Sequence, residues 1–147
     1  MAHVSNTVAV GLPSVVAAQH PLLVGESVAA GYPSPAQDFF DGRINLNEHL
    51  IKDVTSTFVV RVSGDSMEGA GISDGDELIV NRALTPRDGS IVIAILDGEL
   101  TVKRLQLKAG GVVLHAENPK YPDIQVPDAS SLSVWGVAET CLHDLRH

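Results

Sequence analysis

The stretch from Ile91 to Leu107 constrains this chain more than any other. Ile91-Val92-Ile93-Ala94-Ile95-Leu96 is an unbroken, mostly β-branched apolar run that ends at Asp97-Gly98. A run of this kind followed by Asp-Gly reads as a strand entering a two-residue hairpin turn. Glu99 to Leu107 then reads as the returning strand. Further β-rich runs lie at Thr57–Val62, Glu77–Val80, Val112–His115 and Leu132–Val137, with turn signals at Asp74-Gly75-Asp76 and Gly110-Gly111. Short strands at this spacing predict a mainly β domain, a small barrel or a folded-over sheet, from about residue 55 to 142.

The first 42 residues have a different texture. They hold Glu26, Asp38 and Asp41, no basic residue, and Pro13, Pro21, Pro33 and Pro35, half of the eight prolines. Prolines at this density interrupt any long helix. Gly31-Tyr32-Pro33-Ser34-Pro35 should be extended or turned, since each residue before a proline is pushed out of the α region. Residues 1–42 are thus expected to form an extended N-terminal arm and residues 43–147 the folded domain, with a short helix at Asn47–Lys52 near its start.

Several classes of function are disfavoured by composition. The net charge is −8, from 10 Lys and Arg against 18 Asp and Glu, which offers no footprint for a phosphate backbone. The apolar Val8–Ala18 and the small residues Ser27–Ala30 imitate part of a secretory signal, but no Lys or Arg precedes Arg43. No run reaches the ~18 apolar residues of a membrane span. A single cysteine, Cys141, has no internal disulfide partner, which fits a reducing, cytoplasmic setting.

Two places carry potential chemistry. Ser63-Gly64-Asp65-Ser66-Met67 directly follows a strand, and Gly64 allows a sharp turn that would present Ser66 at the end of a rigid element. Taken alone, the segment is also ordinary turn chemistry. Lys103 is the second place. Thr101, Lys103, Leu105 and Leu107 share one face of their strand, and Arg104 points to the other, toward solvent. If the shared face is the apolar one, Lys103 either snorkels to water or is desolvated with a lowered pKa. A desolvated, neutral lysine is a general base able to take the proton of a serine hydroxyl. Ser66 would then attack a peptide carbonyl, and backbone N–H groups around Ser66 and Met67 would hold the oxyanion. Thr101 is placed to orient the lysine nitrogen.

A Ser/His/Asp triad is the competing arrangement. Of His3, His20, His49, His115, His143 and His147, only His49 and His115 are placed to reach a core site, and nothing in the sequence pairs either with Ser66. His143 and His147 have a metal-compatible spacing, but they sit at a terminus without a third ligand and are expected to fray. Phosphate-loop glycines and zinc-type Cys/His spacings are absent, and no cofactor or metal is expected.

Four segments together resemble the LexA/UmuD class of self-cleaving serine peptidases, and its UmuD-like members in particular. They are Gly31–Ala36, Ser63–Met67, Gly71–Asp76 and Asp97–Leu105. The resemblance runs from about Ala30 to the C-terminus. It implies a LexA/signal-peptidase-like folded β domain, with Ser66 as nucleophile, Lys103 as general base and Thr101 supporting the lysine. It places self-cleavage at Ala30–Gly31 within the arm; Ala30 keeps the small side chain required before the glycine. It further implies a homodimer, a RecA filament on single-stranded DNA as co-protease, and a UmuC-like Y-family polymerase as partner of the shortened form in mutagenic translesion synthesis after DNA damage. A LexA-like repressor is the alternative, but a DNA-reading helix-turn-helix needs basic residues that residues 1–42 lack. A signal peptidase would need a membrane anchor. A dimerisation module with a dead site would not need an intact Ser66 and Lys103.

Overall fold

The computed structural model describes residues 20–24, 27–28, 30–32, 40–126 and 132–146. They fall into two compact units, divided between Lys52 and Asp53.

In the first unit, strand β1 (Leu22–Val24) pairs antiparallel with β2 (Phe40–Arg43), a ladder the sequence reading did not anticipate. Beyond it, Ile44 N donates to the Pro21 carbonyl at 2.9 Å, and the Arg43 guanidinium to the His20 carbonyl at 2.6 Å. The predicted short helix is α1 (Leu46–Leu50). It starts one residue early because Asn45 caps it, its side-chain oxygen accepting from the Asn47 and Glu48 amides. Ala30, Gly31 and Tyr32 are exposed. Pro33, Ser34 and Pro35 of the expected extended segment lie outside the described residues.

The second unit is the predicted β domain. Its strands are β3 (Thr57–Arg61), β4 (Glu77–Asn81), β5 (Ile91–Leu96), β6 (Glu99–Lys108), β7 (Gly111–His115), β8 (Ile124–Val126) and β9 (Ser133–Leu142). They form one antiparallel sheet in the order β3-β4-β9-β5-β6-β7-β8. Among the described residues β3 and β8 remain its edges, so the barrel half of the expectation gives way to the open sheet. The predicted β5–β6 hairpin is in place, with Leu96 across from Glu99 and Asp97-Gly98 as the turn.

Both faces of this sheet are covered, which explains the unbroken apolar run of β5. Ile93 packs with Val62, Met67, Ile72, Leu78 and Val80. Its neighbours Val92 and Ala94 pack on the other face with Leu105, Leu114, Val126 and Val137. Each buried Val, Leu, Ile or Met side chain among them contributes about 1.5–3 kcal/mol.

Strand β9 runs five residues past its predicted end at Val137. The register skips Trp135 against β5 and Glu139 against β4, so two bulges shift the in–out phase and hide the period of two. The bulged Trp135 packs on Phe58 and lies under the Arg82 guanidinium, 4.7 Å from the ring centre.

Candidate functional site

Ser66 sits in the connection between β3 and a short 3₁₀ turn at Glu68–Ala70. Several contacts fix this connection. Gly64 has φ of 98°, a conformation that a side chain would strain, and its N–H donates to Asp74 Oδ1 at 2.7 Å. Val62, just before it, exchanges backbone bonds with Gly75 and Asp76. Met67, just after Ser66, is 1% exposed and anchors the turn in the core. The 3₁₀ turn is held from outside by Gly69 N–H, which donates to the Glu117 carbonyl at 2.7 Å. A Cβ on Gly69 would lie 2.5 Å from that carbonyl oxygen, so the approach needs glycine.

Lys103 comes from the middle of β6. It stands across from Val92, and Thr101 across from Ala94, both of which are fully buried. Directly opposed residues of an antiparallel pair share a face, so the lysine stem is carried inward. The predicted alternation holds through Leu105 but not Leu107, which is 53% exposed. β5 begins opposite Arg104, so Leu107 has a strand neighbour on one side only.

The lysine nitrogen meets three oxygens. Ser66 Oγ lies at 3.2 Å, Thr101 Oγ1 at 2.9 Å and the Val102 carbonyl at 3.1 Å. Lys103 is 8% exposed, and among the described residues no carboxylate pairs with it. Burial without a counter-charge lowers its pKa from the ordinary 10.5. As an ammonium, Lys103 can donate to all three oxygens; as the neutral amine that its lowered pKa favours, it has two donors and one lone pair. Its two N–H groups can be given to Thr101 Oγ1 and the Val102 carbonyl, which leaves the lone pair to accept the Ser66 hydroxyl proton.

The two side chains open on a cleft of about 360 Å³ between the end of β3 and the start of β6. Val60, Val62, Leu100 and Val102 supply its apolar lining, and Tyr121 also borders it. The N–H groups of Ser66 and Met67 donate to no acceptor among the described residues, so both are available to a bound oxyanion.

Of the histidines, His115 and His143 are engaged by carboxylates. His49 is exposed on α1. His115 Nδ1 lies 2.6 Å from Asp123, and its Nε2 lies 3.8 Å from Glu117. His143 does not fray as expected: it lies 2.6 Å from Asp76, a carboxylate only 4% exposed. Cys141 also meets Asp76, at 3.3 Å, and burial with that carboxylate pushes its thiol up to about 11, which makes it inert. His147 lies outside the described residues.

Arg104 departs from expectation as well. It points away from Lys103 but is not simply solvated. Its Nε donates to Glu117 Oε1 and its Nη1 to the Gly89 carbonyl, both at 2.6 Å. Sequence reasoning also missed Asn118 and Tyr121, which reach back to Asp65 across 53 and 56 residues. Only the fold brings them there.

The Peptidase S24-like family model matches residues 21–139. The chain belongs to this family. It is 42% identical to Protein SamA of Salmonella typhimurium over 124 residues, covering 84% of this chain and 86% of that protein. It is 42% identical to Protein MucA of Escherichia coli over 113 residues, covering 76% and 77%. It is also 42% identical to the LexA repressor of Aliivibrio fischeri over 117 residues, which covers 79% of this chain but 55% of that repressor. The resemblance read from the four motifs is therefore borne out, and with it a serine peptidase family carried on a mainly β fold. Among the described residues no helix is long and apolar enough to cross a membrane.

Proposed function

We propose that this protein is a self-cleaving serine peptidase that uses Ser66 as nucleophile and Lys103 as general base. The observation that carries the reading is the contact of a buried lysine nitrogen, with no carboxylate partner among the described residues, with a serine hydroxyl at 3.2 Å, in a chain of the S24-like peptidase family. Neutral Lys103 takes the Ser66 proton as Oγ attacks the carbonyl carbon of the scissile peptide. The Ser66 and Met67 N–H groups receive the oxyanion. The protonated lysine then returns its proton to the leaving amine, and water hydrolyses the acyl-enzyme. Thr101 holds the lysine nitrogen throughout.

The scissile bond in this reading is Ala30–Gly31, in the arm of residues 1–42, and the peptidase site lies within residues 43–147, in the compact unit that begins at Asp53. Ala30 and Gly31 are exposed, and among the described residues nothing lies within 4 Å of where a Gly31 Cβ would be. A bond so free of neighbours can be drawn into a narrow cleft as extended chain.

The biological role we infer is that of the UmuD-like proteins. Self-cleavage is stimulated by a RecA filament on single-stranded DNA during the SOS response, in the cytoplasm. The shortened homodimer then serves as accessory subunit of a UmuC-like error-prone polymerase. The 42% identity to SamA and MucA, over 86% and 77% of their lengths, supports this reading. The test is incubation at neutral pH with and without the RecA filament, followed by N-terminal sequencing of the product. A filament-dependent product beginning Gly31-Tyr32-Pro33 is expected. A product with another N-terminus, or a rate indifferent to the filament, contradicts the assignment.

A further inference from the structure

Asp65, the residue just before Ser66, is gripped at both ends by one turn. Asn118 Nδ2 donates to the Asp65 carbonyl at 2.8 Å. The Tyr121 hydroxyl donates to Asp65 Oδ1. The turn is itself tied: Asn118 Oδ1 accepts from Lys120 N at 3.0 Å, and the Asn118 carbonyl accepts from Tyr121 N at 3.1 Å. Both ends of the Asn118 amide are therefore committed, and its donor can face only Asp65. Lys120 Nζ, 4.0 Å from Asp65 and 79% exposed at its side chain, adds little.

The consequence follows from peptide geometry. The Asp65 carbonyl and the Ser66 N–H belong to the same planar, trans peptide and point in opposite directions. Fixing the carbonyl fixes the direction of the N–H. The hydroxyl that grips the carboxylate remains a donor in alkaline solution, because Asp65 raises the Tyr121 phenol above its ordinary 10.0.

We propose that Asn118 and Tyr121 are positioning residues for Ser66: through Asp65 they set the peptide plane that aims the Ser66 N–H at the oxyanion and its hydroxyl at Lys103. The inference rests on the Ser66–Lys103 chemistry proposed above, so its test uses two readouts. One is the first-order rate of self-cleavage at alkaline pH. The other is the rate at which a fluorophosphonate probe labels Ser66, followed by intact mass, which needs an activated serine but no scissile bond.

Tyr121→Phe should slow both readouts about tenfold while its melting midpoint stays within about 2 °C of wild type, since an exposed hydroxyl contributes little to stability. Asp65→Ala should slow them similarly, and adding Tyr121→Phe to it should cost nothing more, because both act through one bond. Asp65→Asn keeps an acceptor for the tyrosine and should restore most of the rate. Asn118→Asp, which replaces the donor by an acceptor, should slow both readouts about 100-fold, the scale of a lost oxyanion donor. A Tyr121→Phe protein that cleaves and labels like wild type overturns the proposal, as does full additivity with Asp65→Ala. If wild type labels at Ser66 without cleaving, self-cleavage is wrong and positioning is judged by labelling alone. If it does neither, Ser66 is not activated and both readings fall.

Discussion

Lys103 Nζ lies 3.2 Å from Ser66 Oγ although 37 residues separate them, and the lysine reaches the serine as a buried amine with no carboxylate partner among the described residues. Burial without a counter-charge disfavours the ammonium form of this lysine.

That penalty sets a pH dependence. The folded-state pKa of Lys103 lies below the unfolded value of 10.5. Between the two values the unfolded chain holds a proton that the folded protein does not, so stability rises with pH across this window. Below the window the penalty is fully present. Lys103→Met keeps the stem and removes the charge. It should melt higher than wild type at pH 7, with the difference narrowing toward pH 10, and lose at least about 100-fold in self-cleavage. Wild-type cleavage should accelerate as pH rises from 7 toward 10. Melting curves and rates over this range check both, and a rate that peaks below pH 7 would contradict a lysine base.

Thr101 supports the amine through one hydrogen bond at 2.9 Å. Thr101→Val keeps the shape and removes the acceptor, and self-cleavage should slow by about tenfold, the scale of one net hydrogen bond. Thr101→Ser should recover most of the loss. Rates at a fixed alkaline pH decide it.

Arg104 binds the Glu117 carboxylate and the Gly89 carbonyl. Arg104→Ala should therefore cost about 1–2 kcal/mol in a denaturant titration, the value of partly buried charge-assisted bonds. Its self-cleavage should persist, because Lys103 projects from the other face.

Gly69 donates its N–H to the Glu117 carbonyl at a distance that leaves no room for a methyl group. Gly69→Ala should displace the turn behind Ser66, cost about 1–3 kcal/mol and slow self-cleavage. Chemical denaturation together with the cleavage rate measures both effects.

The parts of this site that were legible in sequence are the local ones. Lys103 shares a face with Thr101 and Leu105 by the period of two alone, and Asp97-Gly98 announces its own turn. What was not legible depends on neighbours. The exposure of Leu107 follows from where β5 begins, and the length of β9 from bulges that erase its alternation. The seating of Arg104 on Glu117, of His143 on Asp76 and of Tyr121 on Asp65 joins segments distant in the chain. No local pattern encodes such pairings, and only the folded sheet brings them together.

The proposed function requires that Ser66, activated by Lys103, cut this chain after Ala30. Intact mass of the purified protein after incubation at pH 9–10, wild type beside Ser66→Ala, tests it most directly. Wild type should yield a 117-residue fragment beginning at Gly31, while Ser66→Ala remains at full length with an unchanged melting midpoint. The same fragment from Ser66→Ala, or an intact wild type under these conditions, would contradict it.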